Sequence, residues 1–251
     1  MKQLLIYDQP VVLNRTAHRH LRLKSTPFGF AFARQLNSVP LTTPEFTDAA
    51  RDYPIVFAGD PASAAMPAVL LGLDATDNLF VRDDGSWEQE AYIPAFLRRY
   101  PFVVAEPQQS GEFNVCLDRA FFVEGDEGVA LFDEAGRETP ALTQAMKFLA
   151  DYQAAVERTQ AAMRQLRDND LLVARSVNVE RPGMPRQSIN GFCVVDEPRL
   201  QKLSAKALKE LARTGVLGLL YVHLASLGNV KRLARRRDAR ASATPPPPVV
   251  Q

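Results

Sequence analysis

The sequence predicts an α+β fold: a mostly antiparallel mixed sheet, one long amphipathic helix, two C-terminal helices and a disordered proline-rich tail. Three features point that way. Short β-rich runs crowd residues 55–84 and 101–134, separated by Pro, Gly and Asp rather than by regular helices, which argues against a doubly wound parallel sheet. One stretch from Thr139 to about Asp168 keeps helical apolar spacing throughout. Two further helical patterns follow residue 196.

Taken in order, residues 1–42 open on a brief apolar run and pass into a basic stretch, Arg15 to Lys24, that contains His18 and His20. Thr43-Pro44-Glu45 reads as a helix start, with a capping hydroxyl, proline at the first position and an acid at the positive helix end. The helix is expected to run two or three turns and to stop at Tyr53-Pro54, because the residue before proline avoids the helical region. IVFAG, PAVLLGL and NLFVRD then read as strands, and Asp83-Asp84-Gly85 as a turn. Trp87–Tyr100 reads as a helix in which Pro94 kinks the chain or opens a second helix. PFVVAE, FNVCLD and VALFDEAGRE read as strands, the last bending at Glu134-Ala135-Gly136.

Thr139-Pro140 caps the long helix, whose apolar positions are Leu142, Met146, Leu149, Tyr152, Val156, Met163 and Leu166. LLVARSVNVE is a predicted strand, 181–188 a loop and INGFCVVDE a strand. Asp196 or Ser204 caps a helix over Lys206–Arg213 that Gly215 ends, and Val216–Arg236 follows with Leu217, Leu220, Tyr221, Leu224 and Leu227 as its apolar side. The four prolines within Ser242–Gln251 suit neither helix nor strand. The expected organisation is one domain over 1–240 and a disordered tail over 241–251.

The 251 residues are 46% hydrophobic and 24% charged, which suits a folded chain with a full core. Net charge is +1, but residues 231–240 hold six basic groups and one acid, leaving 24 basic against 28 acidic residues elsewhere. Any polyanion contact is therefore expected from that run. The opening LLIY is cut short by Asp8 and Pro10, below the roughly 7–15 apolar residues of a secretory signal. No stretch approaches the ~18 apolar residues of a membrane span, so a cytoplasmic location is expected. Cys116 and Cys193 are too few and too far apart for a zinc cage and read as core residues. Neither a phosphate loop, a dinucleotide turn nor a nucleophile elbow occurs, and no cofactor is expected.

Several long stretches resemble the SapC family of bacterial proteins in the right order: FAFARQLNSVPLTTPEF at 30–46, YIPAFLRRYPF at 92–102, LFDEAGRETPAL at 131–142, NGFCVVDEPRLQKL at 190–203 and LLYVHLASLGN at 219–229. The resemblance runs from about Pro10 to Leu233. It implies an association with bacterial surface layers, where members are encoded with the layer protein or its export machinery. It brings no catalytic residue with it.

Candidate sites follow from residue chemistry. His18 and His20 would share a face if their segment were extended and could then ligate a metal, with Glu45 and Asp48 available; the surrounding arginines disfavour a cation. His223, in an apolar helix, is a candidate general base, or a buried neutral histidine with one hydrogen bond. Cys116 and Ser188 would need a placed base to act as nucleophiles. Phe28, Phe30 and Phe32 share a strand face, and Tyr92, Phe96 and Tyr100 a helix face; with Arg98 and Arg99 the latter could form a groove for a carboxylate-bearing peptide or small ligand. Lys231, Arg232, Arg235, Arg236 and Arg237 form a basic surface for weak contact with an anionic membrane or acidic partner, without sequence-specific nucleic-acid recognition. The expected function is a non-enzymatic accessory protein handling an envelope-directed protein or peptide. The alternative is a metal- or His-dependent enzyme acting on a peptide or small molecule.

Overall fold

The computed structural model describes residues 6–7, 9–24, 29–63, 65–105, 114–123, 127–179 and 187–243. Phe28, the loop over 181–186 and the prolines of the tail lie outside them. The fold is α+β, and every strand pair in its three sheets is antiparallel.

The largest sheet has five strands: β3 (Ser38–Pro40), β4 (Ile55–Ala58), β5 (Met66–Leu70), β10 (Leu172–Val179) and β11 (Gln187–Val195), in the order β10-β11-β4-β5-β3. Ile55, Val56 and Phe57 are all buried, so β4 is covered on both faces. This explains why its sequence is a continuous apolar run rather than an alternating one. Two smaller sheets join β1 (Pro10–Val12), β7 (Asn114–Asp118) and β6 (Phe102–Ala105), and β8 (Phe122–Val123), β2 (Arg22–Leu23) and β9 (Val129–Ala130).

Among the described residues seven α-helices pack around these sheets: α1 (Phe46–Ala49), α2 (Ala95–Arg98), α3 (Pro140–Asp168), α4 (Glu197–Gln201), α5 (Ala205–Arg213), α6 (Val216–Ser226) and α7 (Asn229–Ala243). Helix α3 has 29 residues and spans roughly 43 Å. Its first half gives Leu142 and Leu149 to an apolar cluster with Phe102, Leu117, Leu131 and Phe132. Its second half gives Ala162, Met163 and Leu166 to the main core around the five-stranded sheet. The expected stripe is right at Leu142, Leu149, Tyr152, Met163 and Leu166, but Met146 is 37% exposed and Ala155 and Thr159 are buried instead. Among the described residues no single helix is long and apolar enough to cross a membrane.

Four local expectations need correction. Thr42, not Thr43, begins the turn before α1, because Glu45 reaches back to it. NLFVRD is not a strand; Val81 makes a lone bridge to Trp87, and the Phe80 amide goes to its neighbour's side chain, Asn78 Oδ1. Trp87–Ile93 is not helical: Glu90 has φ +64° and the Tyr92 amide is drawn off by Asp52 Oδ2. The helix expected over Val216–Arg236 is two, separated at Leu227-Gly228, and Tyr221, expected on its apolar side, is 54% exposed. Asp196 and Ser204 both act as caps, of α4 and α5 respectively, and Gly215 is left-handed at φ +78°.

Candidate functional site

Polar groups converge where the two apolar clusters meet. Glu45 is only 6% exposed, and both of its carboxylate oxygens are occupied. Oε2 accepts from Thr42 N (2.9 Å) and Thr42 Oγ1 (2.7 Å), and Oε1 from Tyr92 OH (3.0 Å) and Ala95 N (2.7 Å). One side chain thereby ties the start of α1 to the start of α2. The Tyr92 hydroxyl in turn accepts from Arg98 Nη2 at 3.1 Å, and burial with the nearby Glu45 charge pushes the phenol up to about 12. Arg98 is exposed, with its guanidinium 5.7 Å from the Tyr92 ring centre and 5.3 Å from that of Phe148 on α3.

The next residue is buried instead. Arg99 is 4% exposed, and its guanidinium lies 4.3 Å from the Phe96 ring centre and 5.2 Å from that of Tyr152. Its Nε and Nη2 are buried without a hydrogen-bond partner. The aromatic faces and the Tyr7 hydroxyl lie against the cation, but both phenols are held neutral, Tyr7 and Tyr152 each raised to about 12 by burial. A buried guanidinium with unanswered N–H groups has the donor geometry that a planar anion such as a carboxylate accepts.

The five expected groove residues are therefore only partly brought together. Since α2 covers just Ala95–Arg98, Tyr92, Phe96 and Tyr100 do not share one helix face. Phe96 is buried beside Arg99, Tyr92 binds Glu45 and Arg98, and Tyr100 stacks on Phe32 at 3.9 Å. Glu45 and Tyr152 belong to the site without having been expected there. Glu45 carried a signal, since an acid three residues after a threonine reads as a capping box.

The histidines are used differently. Residues 15–20 coil instead of extending, because Asn14 Oδ1 takes the Thr16 and Ala17 amides. His18 accepts from Asn14 N through Nδ1 and stacks on Phe122, whereas His20 lines a separate hollow with Arg22, Phe132 and Glu134. Asp48 pairs with Arg51 at 2.7 Å. Among the described residues no three His, Cys, Asp or Glu side chains gather as a metal ion requires.

His223 is fully buried, and its Nε2 accepts from Val195 N at 3.1 Å. Burial pushes it down to about 4, so the ring is neutral and serves as a structural acceptor. Ser226, one turn on, accepts from Ile55 N at 3.0 Å. Burial raises the thiols of Cys116 and Cys193, which works against thiolate formation; Ser188 lies in β11, its side chain outside the described residues.

The basic run is largely turned inward. Arg232 donates to the Arg51 carbonyl, Arg236 pairs with Glu88 at 3.2 Å over the Phe80 ring, and Arg240 binds Asp77 and the carbonyls of Asn78 and Val81. Arg237, 5% exposed, is not a surface residue. Of the expected basic surface, Lys231, Arg232 and Arg235 are exposed without an ion pair among the described residues, and Arg232 is tethered to the Arg51 carbonyl and Asn229 Oδ1.

These features define an α+β protein with a buried cation packed against aromatic rings, and the expected histidines do not gather into a metal centre among the described residues. The family model described as SapC matches residues 13–233, and the chain belongs to that family. No curated protein and no solved structure matches it.

Proposed function

We propose that this SapC-family chain is a non-enzymatic accessory protein that binds a carboxylate-bearing peptide or protein partner of the bacterial envelope at the Arg98–Arg99 junction. The observation that carries the reading is Arg99: a buried cation keeps two nitrogens, Nε and Nη2, without an acceptor beside the aromatic rings of Phe96 and Tyr152. Arg98, exposed between Tyr92 and Phe148, supplies a second cation at the rim. His223, the other candidate, already spends Nε2 on the Val195 amide, which supports a structural reading of it. The surface-layer setting comes from the family.

Peptides from a digested envelope fraction, with free or amidated C-termini, test this on the immobilised full chain. We expect free-acid peptides to be retained by the wild type and released by Arg98→Ala and Arg99→Met. Equal retention of free-acid and amidated peptides, or retention unchanged by Arg99→Met, would overturn the reading.

A further inference from the structure

A second recognition surface lies on different elements. Helices α6 and α7 run nearly in line and turn 88° from α5. On their outer side the exposed positions recur at spacings of three and four: Gly218, Tyr221, Ala225, Gly228, Arg232 and Arg235. The first part of this ridge is apolar. Tyr221, at 54%, is the most exposed large apolar side chain among the described residues, with half-buried Leu217 and Leu224 at its flanks. The second part is cationic: Lys231, Arg232 and Arg235 are exposed and none of them pairs with an acid among the described residues. Arg236 and Arg240 tie α7 to Glu88 and Asp77 on other elements, so Lys231 and Arg235 are not needed to hold it in place.

We propose that this ridge docks on an anionic lipid surface, with Tyr221 in the headgroup layer and Lys231 and Arg235 against lipid phosphates. A second copy fits poorly. Parallel pairing of two ridges would set the cations against each other, and antiparallel pairing would press Arg232 and Arg235 onto the apolar half. The occupant must itself offer negative charge beside an apolar boundary. The ridge is convex and open, with nothing within 4 Å of a Cβ built on Gly218, so it suits a planar surface better than a side chain seeking a groove. Amphipathic tyrosine and paired cations are what the interface of an acidic bilayer takes up.

The full chain is to be cosedimented with phosphatidylcholine vesicles, with or without about one third phosphatidylglycerol. We expect binding to the anionic vesicles alone and release at about 0.5 M salt. Neutralising each cation should lower partitioning roughly five-fold, so Arg235→Glu should lower it by about 25-fold. Tyr221→Ser should weaken it several-fold, and Lys147→Glu, on α3, should leave it unchanged. Tyr221→Trp should show a blue-shifted emission on the vesicles. No sedimentation, equal binding to neutral vesicles, an equal loss in Lys147→Glu, or an unshifted Tyr221→Trp spectrum would each overturn the proposal. An acidic protein occupant would show as the first of these. The Arg98–Arg99 peptide assay is independent of every arm.

Discussion

Val195 and Ile55 stand where the β11–β4 register would pair them two positions beyond Cys193 and Phe57, yet each gives its amide proton to a side chain of α6. His223 receives one and Ser226 the other, so the two strands part around the helix without an orphaned amide. His223 takes its proton less readily when folded than when unfolded, where its pKa is near 6.5. The unfolded chain therefore binds more protons as pH falls from about 6.5 towards about 4. Stability from this group is complete above that window, falls through it, and is flat below it. Across the window we expect a loss on the order of 3 kcal/mol, read by urea unfolding at a series of pH values. His223→Gln should be less stable at pH 8 and lose most of that pH slope.

Glu45 answers four donors from three residues, and its removal leaves buried hydrogens with nothing to bond. Glu45→Ala should cost about 3–5 kcal/mol in chemical denaturation, and Tyr92→Phe about 1–2 kcal/mol. A loss below 1 kcal/mol for Glu45→Ala would mean that α1 and α2 are held together by other contacts.

Two glycines should respond very differently to alanine. A Cβ on Gly72 would stand 1.8 Å from the Asp77 carbonyl oxygen, so Gly72→Ala must push two backbone segments apart. Gly215 has φ +78° but open space around it, and its substitution carries conformational strain alone. Thermal unfolding should show a loss of several kcal/mol for the first and about 1 kcal/mol for the second.

Arg99 offers a test that separates a binding group from a structural one. Leaving a cation buried with unanswered donors is costly, so Arg99→Met should match or exceed the wild type by about 1–3 kcal/mol in the absence of ligand. A clear loss of stability instead would assign Arg99 to the packing of Phe96 and Tyr152.

The sequence made the long helix legible because its cap, its first-position proline and its periodicity agree at Thr139, Pro140 and the stripe that follows. The strands β4, β5, β10 and β11 were legible for the same reason. Where tertiary bonds replace the local ladder, the reading failed. Residues 78–82 have β-forming side chains, but their backbone is bonded by Asn78, Ser86 and Arg240. Of the site, Arg98 and Arg99 were visible as adjacent cations beside aromatics. Their different burial was not, because it depends on α3 bringing Phe148 to one and Tyr152 to the other.

Helix α3 is a wall common to two rooms. Because Leu142 and Leu149 line one apolar cluster and Ala162, Met163 and Leu166 the other, neither can lose its packing without fraying a helix the other depends on. The amides of α3 between Tyr152 and Thr159 should thus be among the slowest to exchange with deuterium, and a destabilised Leu142 should quicken exchange around Leu166 as well.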